Sequence, residues 1–341
     1  MMKQERSFPE IPDIDSSTWA TDPRQFGMSP RDYIQSETNA FFADFLGRAG
    51  GLSEFFHFKS LTTAADHWVV SPNNDTIYSI AIVNATEGFT LKLPEVGKRF
   101  ISTQIITQNH MTPFYVYGGG TRQFKAQDFD SKFVAVGVRI GTDGMPEDVK
   151  QIAEKLQPQY AIEGAATDAV MPEVDMATLA KVRAALIQEY SKLPNSFGTM
   201  VKRTEDVKDW ERFTYVTAGA WGLSPDENAM YAIGGPVNAK GGSCYKATFP
   251  KVPAEAFFSI TVYGPEKYLM TDTHNIVSSN RGVIANQDGS FDVVFGGEQC
   301  RKLAPNYAAT PEDGWSFLLR AYRPDVEAFK RYKIPAITEV K

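Results

Sequence analysis

Residues 71–79 read SPNNDTIYS, and the chain then turns apolar in IAIVNA. Of the six residues after Pro72, five are polar: Asn73, Asn74, Asp75, Thr76 and Tyr78. This is a polar turn feeding a strand, because Asn and Asp beside Pro mark turns and the β-branched run behind them favours sheet. If Asp75 opens the strand, Asp75, Ile77, Ser79 and Ala81 share one face, and Asn74, Thr76 and Tyr78 share the other. A strand end with amides, a carboxylate and a phenol has the groups to hold a polar ligand by oriented hydrogen bonds. The same residues also make an ordinary turn and cap, since Asn and Asp bond their own backbone.

Outward from this motif the chain is strand-rich in two parts. After it come FTLKLPE, KRFISTQIITQNHMTPFYVYGGG and KFVAVGVRI, then a turn at Thr142-Asp143-Gly144. Before it, Ser29 caps a helix with Pro30 in its first turn, and Gly50-Gly51 ends that helix. Residues 145–227 have helical spacing, as in MATLAKVRAALIQEYSKL. Strands return in SCYKATFP, AFFSITVYG, SFDVVFGG and WSFLLRAYRP, the last ended by Pro324. Asn286-Gln287-Asp288-Gly289 reads as a hairpin turn between VIA and SFDVVF. The parts are an arm over the surface (1–28), a β domain with a leading helix (29–144), a helical connector (145–227) and a second β domain (228–341).

The chain has 341 residues, 43% of them hydrophobic, with 23 Phe and 14 Tyr. It can bury a large core without disulfides or a structural metal. A formal net charge of -6 argues against nucleic acid as a partner. No run approaches the roughly 18 apolar residues of a membrane span. The N-terminus has no apolar signal core, which points to the cytoplasm as the sequence stands; a periplasmic or secreted protein with its signal removed would read the same. Cys244 and Cys300 are read as two buried free thiols, with a single disulfide inside the C-terminal half as the alternative.

VVSPNNDTIYSIAIVN followed by KRFISTQIITQNHMTPFYVYGGG resembles the bacterial domain-of-unknown-function family 1254. Its pattern is a PN-D-T-x-Y-S strand, then an aromatic strand with Gln and a Gly-rich turn. YKATFP, AFFSITVYG, the Arg281 region, NQDGSFDVVF, Asn306-Tyr307 and FLLRAYRP resemble its usual partner, family 1214. The resemblance covers roughly residues 50–140 and 228–340. It implies a mainly β protein with a helical connector (α+β overall), built from two β-sandwich or jelly-roll-like domains, the second of jelly-roll type. It implies no general reaction. Residues 306–311, NYAATP, stand where relatives have a Trp-Leu-Pro stretch.

In the strand ISTQIITQNH, Gln104, Ile106, Gln108 and His110 alternate onto one face, a polar pocket wall or a solvent-facing side. His110 is the best proton-transferring group there, since imidazole titrates near neutrality. The four histidines (His57, His67, His110 and His274) show no HxH or HExxH spacing, so a bound metal is open but not favoured, and the sequence requires no cofactor. Gly118-Gly119-Gly120 offers backbone N–H groups to an anion but reads better as a tight turn. Tyr263, His274, Asn280 and Arg281 flank a loop-rich segment in which Arg281 has the fork to clamp an anion.

The expectation is an enzyme, such as a hydrolase, acting on a small polar substrate by hydrolytic or general acid/base chemistry in a pocket between the two β domains. His110, Asp75 and Tyr78 would be catalytic, with Asn73, Asn74, Gln104, Gln108 and Arg281 holding substrate. The alternative is a non-catalytic carbohydrate or small-ligand binding protein, and the second alternative a metal-dependent oxidoreductase. The partner is a small molecule, and a homo-oligomer is compatible with the sequence.

Overall fold

The computed structural model describes residues 8–67 and 70–340. The first seven residues of the expected arm, and residues 68 and 69 before the polar motif, lie outside the described residues. The chain forms two compact units. One comprises Met1–Phe58, Tyr78–Ile140 and Gln151–Pro225, the other Lys59–Ile77, Gly141–Lys150 and Asp226–Lys341. The fold is mainly β, in several mostly antiparallel sheets, with a few helices. Among the described residues, no helix is long and apolar enough to cross a membrane.

The first unit carries β1 (Phe55–His57), β2 (Thr76–Asn84), β3 (Phe89–Leu93), β4 (Ile101–Thr107), β5 (Phe114–Tyr117), β6 (Gly120–Phe124), β7 (Phe133–Gly141) and β8 (Ala161–Glu163). One sheet has the order β1-β2-β7-β4-β5, and a smaller one β6-β3-β8. Helix α1 (Pro30–Ala49) starts as expected, with the Ser29 side chain accepting from the Asp32 N–H, and ends at Gly50 in the left-handed conformation. The helical stretch supplies α2 (Pro146–Gln151), α3 (Met176–Tyr190) and α4 (Trp210–Gly219). Helices α3 and α4 do not stand apart as a connector. Leu179, Val182 and Leu186 pack with Tyr33 and Tyr215, because an apolar helix face needs a cover. The arm does more than lie over the surface: Ile11 and Ile14 are buried with Met111, Phe213 and Val216.

The second unit carries β9 (Ala229–Gly234), β10 (Tyr245–Phe249), β11 (Ala254–Tyr263), β12 (Ile276–Ser278), β13 (Phe291–Gly296), β14 (Asn306–Ala309), β15 (Ser316–Pro324), helix α5 (Val326–Arg331) and β16 (Thr338–Glu339). They form two four-stranded sheets, β14-β13-β10-β16 and β12-β11-β15-β9. Aromatic contacts join the sheets. Phe317 of β15 stacks on Phe295 of β13 at 5.5 Å between centroids, and Phe249 of β10 meets Phe317 edge-on at 5.7 Å.

Several expectations are corrected. Strand β4 ends at Thr107, and the chain then turns: His110 N–H bonds Thr107 O, Thr107 N–H bonds Met111 O, and His110 has φ 61°. Gln108 and His110 therefore do not extend the alternating face. The 286–290 turn forms, with Asn286 N–H bonded to Ser290 O, but residues 283–285 before it are not a strand. Strand β13 pairs instead with β10 and, in parallel, with β14. Cys244 and Cys300 form a disulfide, with Cα atoms 5.4 Å apart; the free-thiol reading fails because the fold brings together two cysteines 56 positions apart.

Candidate functional site

The polar motif docks on a polar face of the β12-β11-β15-β9 sheet. Residues directly opposite in an antiparallel pair share a face. Ser259 of β11 stands opposite Arg320 of β15, and Phe257 opposite Tyr322. Alternation therefore places Ser259, Thr261, Tyr263, Arg320 and Tyr322 on one side. All five are buried, so this face is not the solvated side that alternation alone would suggest.

Asp75 is the hub. Its Oδ2 accepts from the Ser259 hydroxyl at 2.6 Å and from the Tyr322 hydroxyl at 2.8 Å. Asn73 shapes the turn: its Oδ1 accepts from the Asp75 N–H at 2.8 Å, and its amide donates to Tyr322 Oη. Asn74 Nδ2 donates to Asn275 Oδ1 at 3.2 Å, and Arg281 donates to the Asn74 carbonyl. Arg320 donates to the Ser71 carbonyl at 2.8 Å and to Thr261 Oγ1 at 3.1 Å. The Tyr263 hydroxyl donates to the Pro72 carbonyl at 2.8 Å. These bonds hold Ser71 at φ 49°, a left-handed conformation that costs a non-glycine residue about 1–2 kcal/mol.

Burial sets the electrostatics. Arg281 has its pKa pulled below the ordinary guanidinium value by burial, against which the Asp75 charge works. Tyr263 is pushed up by burial, so its phenol stays protonated. Three buried atoms of the cluster have no hydrogen-bond partner among the described residues: Asp75 Oδ1, Asn74 Oδ1 and Arg281 Nε. Each such atom costs about 1–3 kcal/mol when unpaired.

The structure thus brings Asn73, Asn74, Asp75 and Arg281 together in the second unit, and adds Ser259, Arg320 and Tyr322, which the sequence reading missed. Arg320 gave a usable signal. A lone Arg inside FLLRAY must be buried with a strand, and a buried Arg needs acceptor or anionic partners. His274 is placed differently, against Tyr307 at 5.4 Å between ring centroids.

Gln104, Gln108, His110 and Tyr78 belong to the first unit and are engaged there. Gln104 Nε2 donates to Leu223 O at 3.1 Å, and its Oε1 accepts from Arg139 at 3.3 Å. Gln108 donates to Asn39 Oδ1 at 2.7 Å and accepts from the Phe133 N–H at 3.0 Å. The Arg139 guanidinium lies 5.1 Å from the Tyr78 ring centre. His110 is wholly buried and stacks on Trp221. Its Nε2 accepts from the Gly222 N–H at 2.9 Å, which leaves the ring proton on Nδ1, 3.0 Å from Thr217 Oγ1. Thr217 in turn donates to the Phe213 carbonyl. Burial lowers the His110 pKa to about 3. This is the environment of a packing histidine that ties α4 to the sheet. The triple glycine is likewise a tight turn, closed by Arg122 donating to the Gly118 and Gly119 carbonyls at 3.0 Å each. A Cβ on Gly119 would lie 2.0 Å from Pro94 O. Among the described residues, no three or more His, Cys, Asp or Glu side chains gather closely enough to hold a metal ion.

Residues 52–129 match the family model DUF1254, and residues 234–326 match DUF1214, each described as a protein of unknown function. No curated protein matches the chain. Among solved structures, the VPA0106 protein from Vibrio parahaemolyticus is similar at 16% identity and TM-score 0.72, over 94% of this chain and 98% of that one. An uncharacterized protein from Burkholderia cenocepacia is similar at 11% identity and TM-score 0.51, over 91% of this chain and 86% of that one. At these identities the likeness is one of fold.

Proposed function

From the premise that this chain joins a DUF1254 region to a DUF1214 region, we propose that its second unit binds a small polyhydroxylated molecule, of carbohydrate type, at the Asp75 cluster. One observation carries the reading. Asp75 Oδ1 and Asn74 Oδ1, two acceptors, and Arg281 Nε, a donor, are buried in one network without partners among the described residues. A hydroxyl both donates and accepts, so a molecule with neighbouring hydroxyls answers all three atoms. An amine would satisfy the two oxygens and leave the Arg281 N–H unpaired.

Binding is preferred to acid/base catalysis because the proposed proton carrier, His110, has both nitrogens engaged in the first unit. The test is calorimetric titration of the protein with glucose, mannose, glycerol and myo-inositol. Saturable binding of at least one, weakened about tenfold by Asn74→Ala and by Arg281→Lys, supports the proposal. Arg281→Lys keeps the charge and removes the Nε donor. Binding untouched by both substitutions, or no binding by any of the four, overturns it.

A further inference from the structure

A recess of about 290 Å³ opens in the first unit, with no residue of the Asp75 cluster in its lining, and Phe55, His57, Gln157 and Tyr160 are among its lining residues. Strand β1 supplies Phe55 and His57, whose rings stack at 5.7 Å between centroids, and Tyr160 meets both edge-on. The chain reaches Gln157 through a turn of π-helix, Ile152–Leu156, whose wider winding is closed by the Gln157 N–H on the Ile152 carbonyl. Such turns are an irregularity that often accompanies function.

Gln157 is wholly buried. Its Nε2 donates to the Phe58 carbonyl at 2.8 Å and to Ser79 Oγ at 3.2 Å. Both amide hydrogens are thereby used, and the amide orientation is fixed, since the reverse would set carbonyl against carbonyl. Ser79 Oγ also lies 2.7 Å from His57 Nδ1, which orients that ring. Two buried atoms of residues that line the recess have no partner among the described residues: Gln157 Oε1 and Tyr160 Oη. Gln157 Oε1 is an acceptor only. The Tyr160 phenol is kept protonated, because burial raises its pKa and Arg99 offsets this only in part.

We propose that this recess is a second small-molecule site, which takes a neutral planar ring bearing a primary amide or lactam. The aromatic walls accept a flat ring by stacking and edge contacts. The amide N–H meets Gln157 Oε1, and its carbonyl accepts from the Tyr160 hydroxyl. A carboxylate is excluded on the same grounds, because it has no hydrogen to offer Gln157 Oε1. The volume suits a single ring with one substituent.

The site is tested on the whole chain with benzamide, nicotinamide and 2-pyridone, with benzoate for comparison, by following the amide resonances of Ala161 and Ile162. Saturable shifts are expected for at least one amide, with a Kd on the order of 1 mM for so small a ligand. Tyr160→Phe removes only the unpartnered hydroxyl, so it should weaken that binding about tenfold and leave the melting temperature unchanged or higher. The proposal is overturned if none of the three amides binds, if benzoate binds as well as they do, or if Tyr160→Phe binds with full affinity. A lower melting temperature for Tyr160→Phe also overturns it, because the hydroxyl would then have a partner within the protein.

Discussion

His110 shows most directly how burial changes what a residue does. Unfolded, its imidazole titrates near 6.5; in the fold it stays neutral until about pH 3. Below pH 6.5 the unfolded chain takes up a proton that the native protein does not. Its contribution to stability is therefore complete above pH 6.5 and is lost as the pH falls towards 3, at roughly 1.4 kcal/mol per unit. Urea melts at about pH 7.5 and about pH 4.5 should show the wild type losing roughly 2–3 kcal/mol more than His110→Gln. Equal losses in the two proteins would mean that the ring is not held neutral. Asp75 gives a different case, a buried carboxylate that the fold supplies with partners, Ser259 and Tyr322. Asp75→Ala takes the Asp75 carboxylate from the buried Arg320, and an uncompensated buried charge costs about 3–5 kcal/mol. Tyr322→Phe, which removes one donor to that carboxylate, should cost about 1–3 kcal/mol in the same melts. If the two losses add fully in the double variant, the hydrogen bond is not contributing.

At the scale of elements, alternation of polar and apolar residues was legible, but its meaning was not. In β11 and β15, Ser259, Thr261, Tyr263, Arg320 and Tyr322 fall on one face, as period two requires, and they are buried under residues 71–75 rather than open to water. In β4 all seven residues are buried. Gln104 there is a buried amide that accepts from Arg139 and reaches a loop carbonyl, and neither partner lies near it in sequence. The disulfide belongs to this scale too. It ties Cys244, just before β10, to Cys300, just after β13, and closes a long loop of the second unit. Thiol titration of the unreduced, unfolded chain should find no free cysteine. Reduction should lower the unfolding free energy by about 2–4 kcal/mol in denaturant melts. Two titratable thiols without reductant would restore the free-cysteine reading.

At the scale of the molecule, the order of elements along the chain does not give the order of the cores. Residues 59–77 belong to the second unit, although about 150 positions of sequence separate them from its main body. A fragment of residues 226–341 therefore lacks Asp75 and the turn that covers Ser259, Arg320 and Tyr322. It is expected to show no cooperative unfolding by circular dichroism, since a sheet face with a buried guanidinium would be left stripped of its partners. A sharp melt for this fragment would show that the polar face tolerates solvent and that the turn is an accessory.

The sequence by itself determined the local features. The Ser29 cap and Gly50 stop, the strand-rich halves around a helical stretch, the two-family pattern and the polar turn at 71–79 all rest on backbone preference and short periodicity, which act within a few residues. The tertiary structure alone decided which polar residues meet. Asp75 finds Ser259 and Tyr322, Cys244 finds Cys300, and His110 is sealed between Thr217 and Gly222, because burial and hydrogen-bond pairing depend on what distant segments bring to the same place. The polar motif could be recognised as a strand entrance from its own residues. That its carboxylate is held by hydroxyls on β11 and β15, with one oxygen left unpaired among the described residues, is a property of the packed sheet.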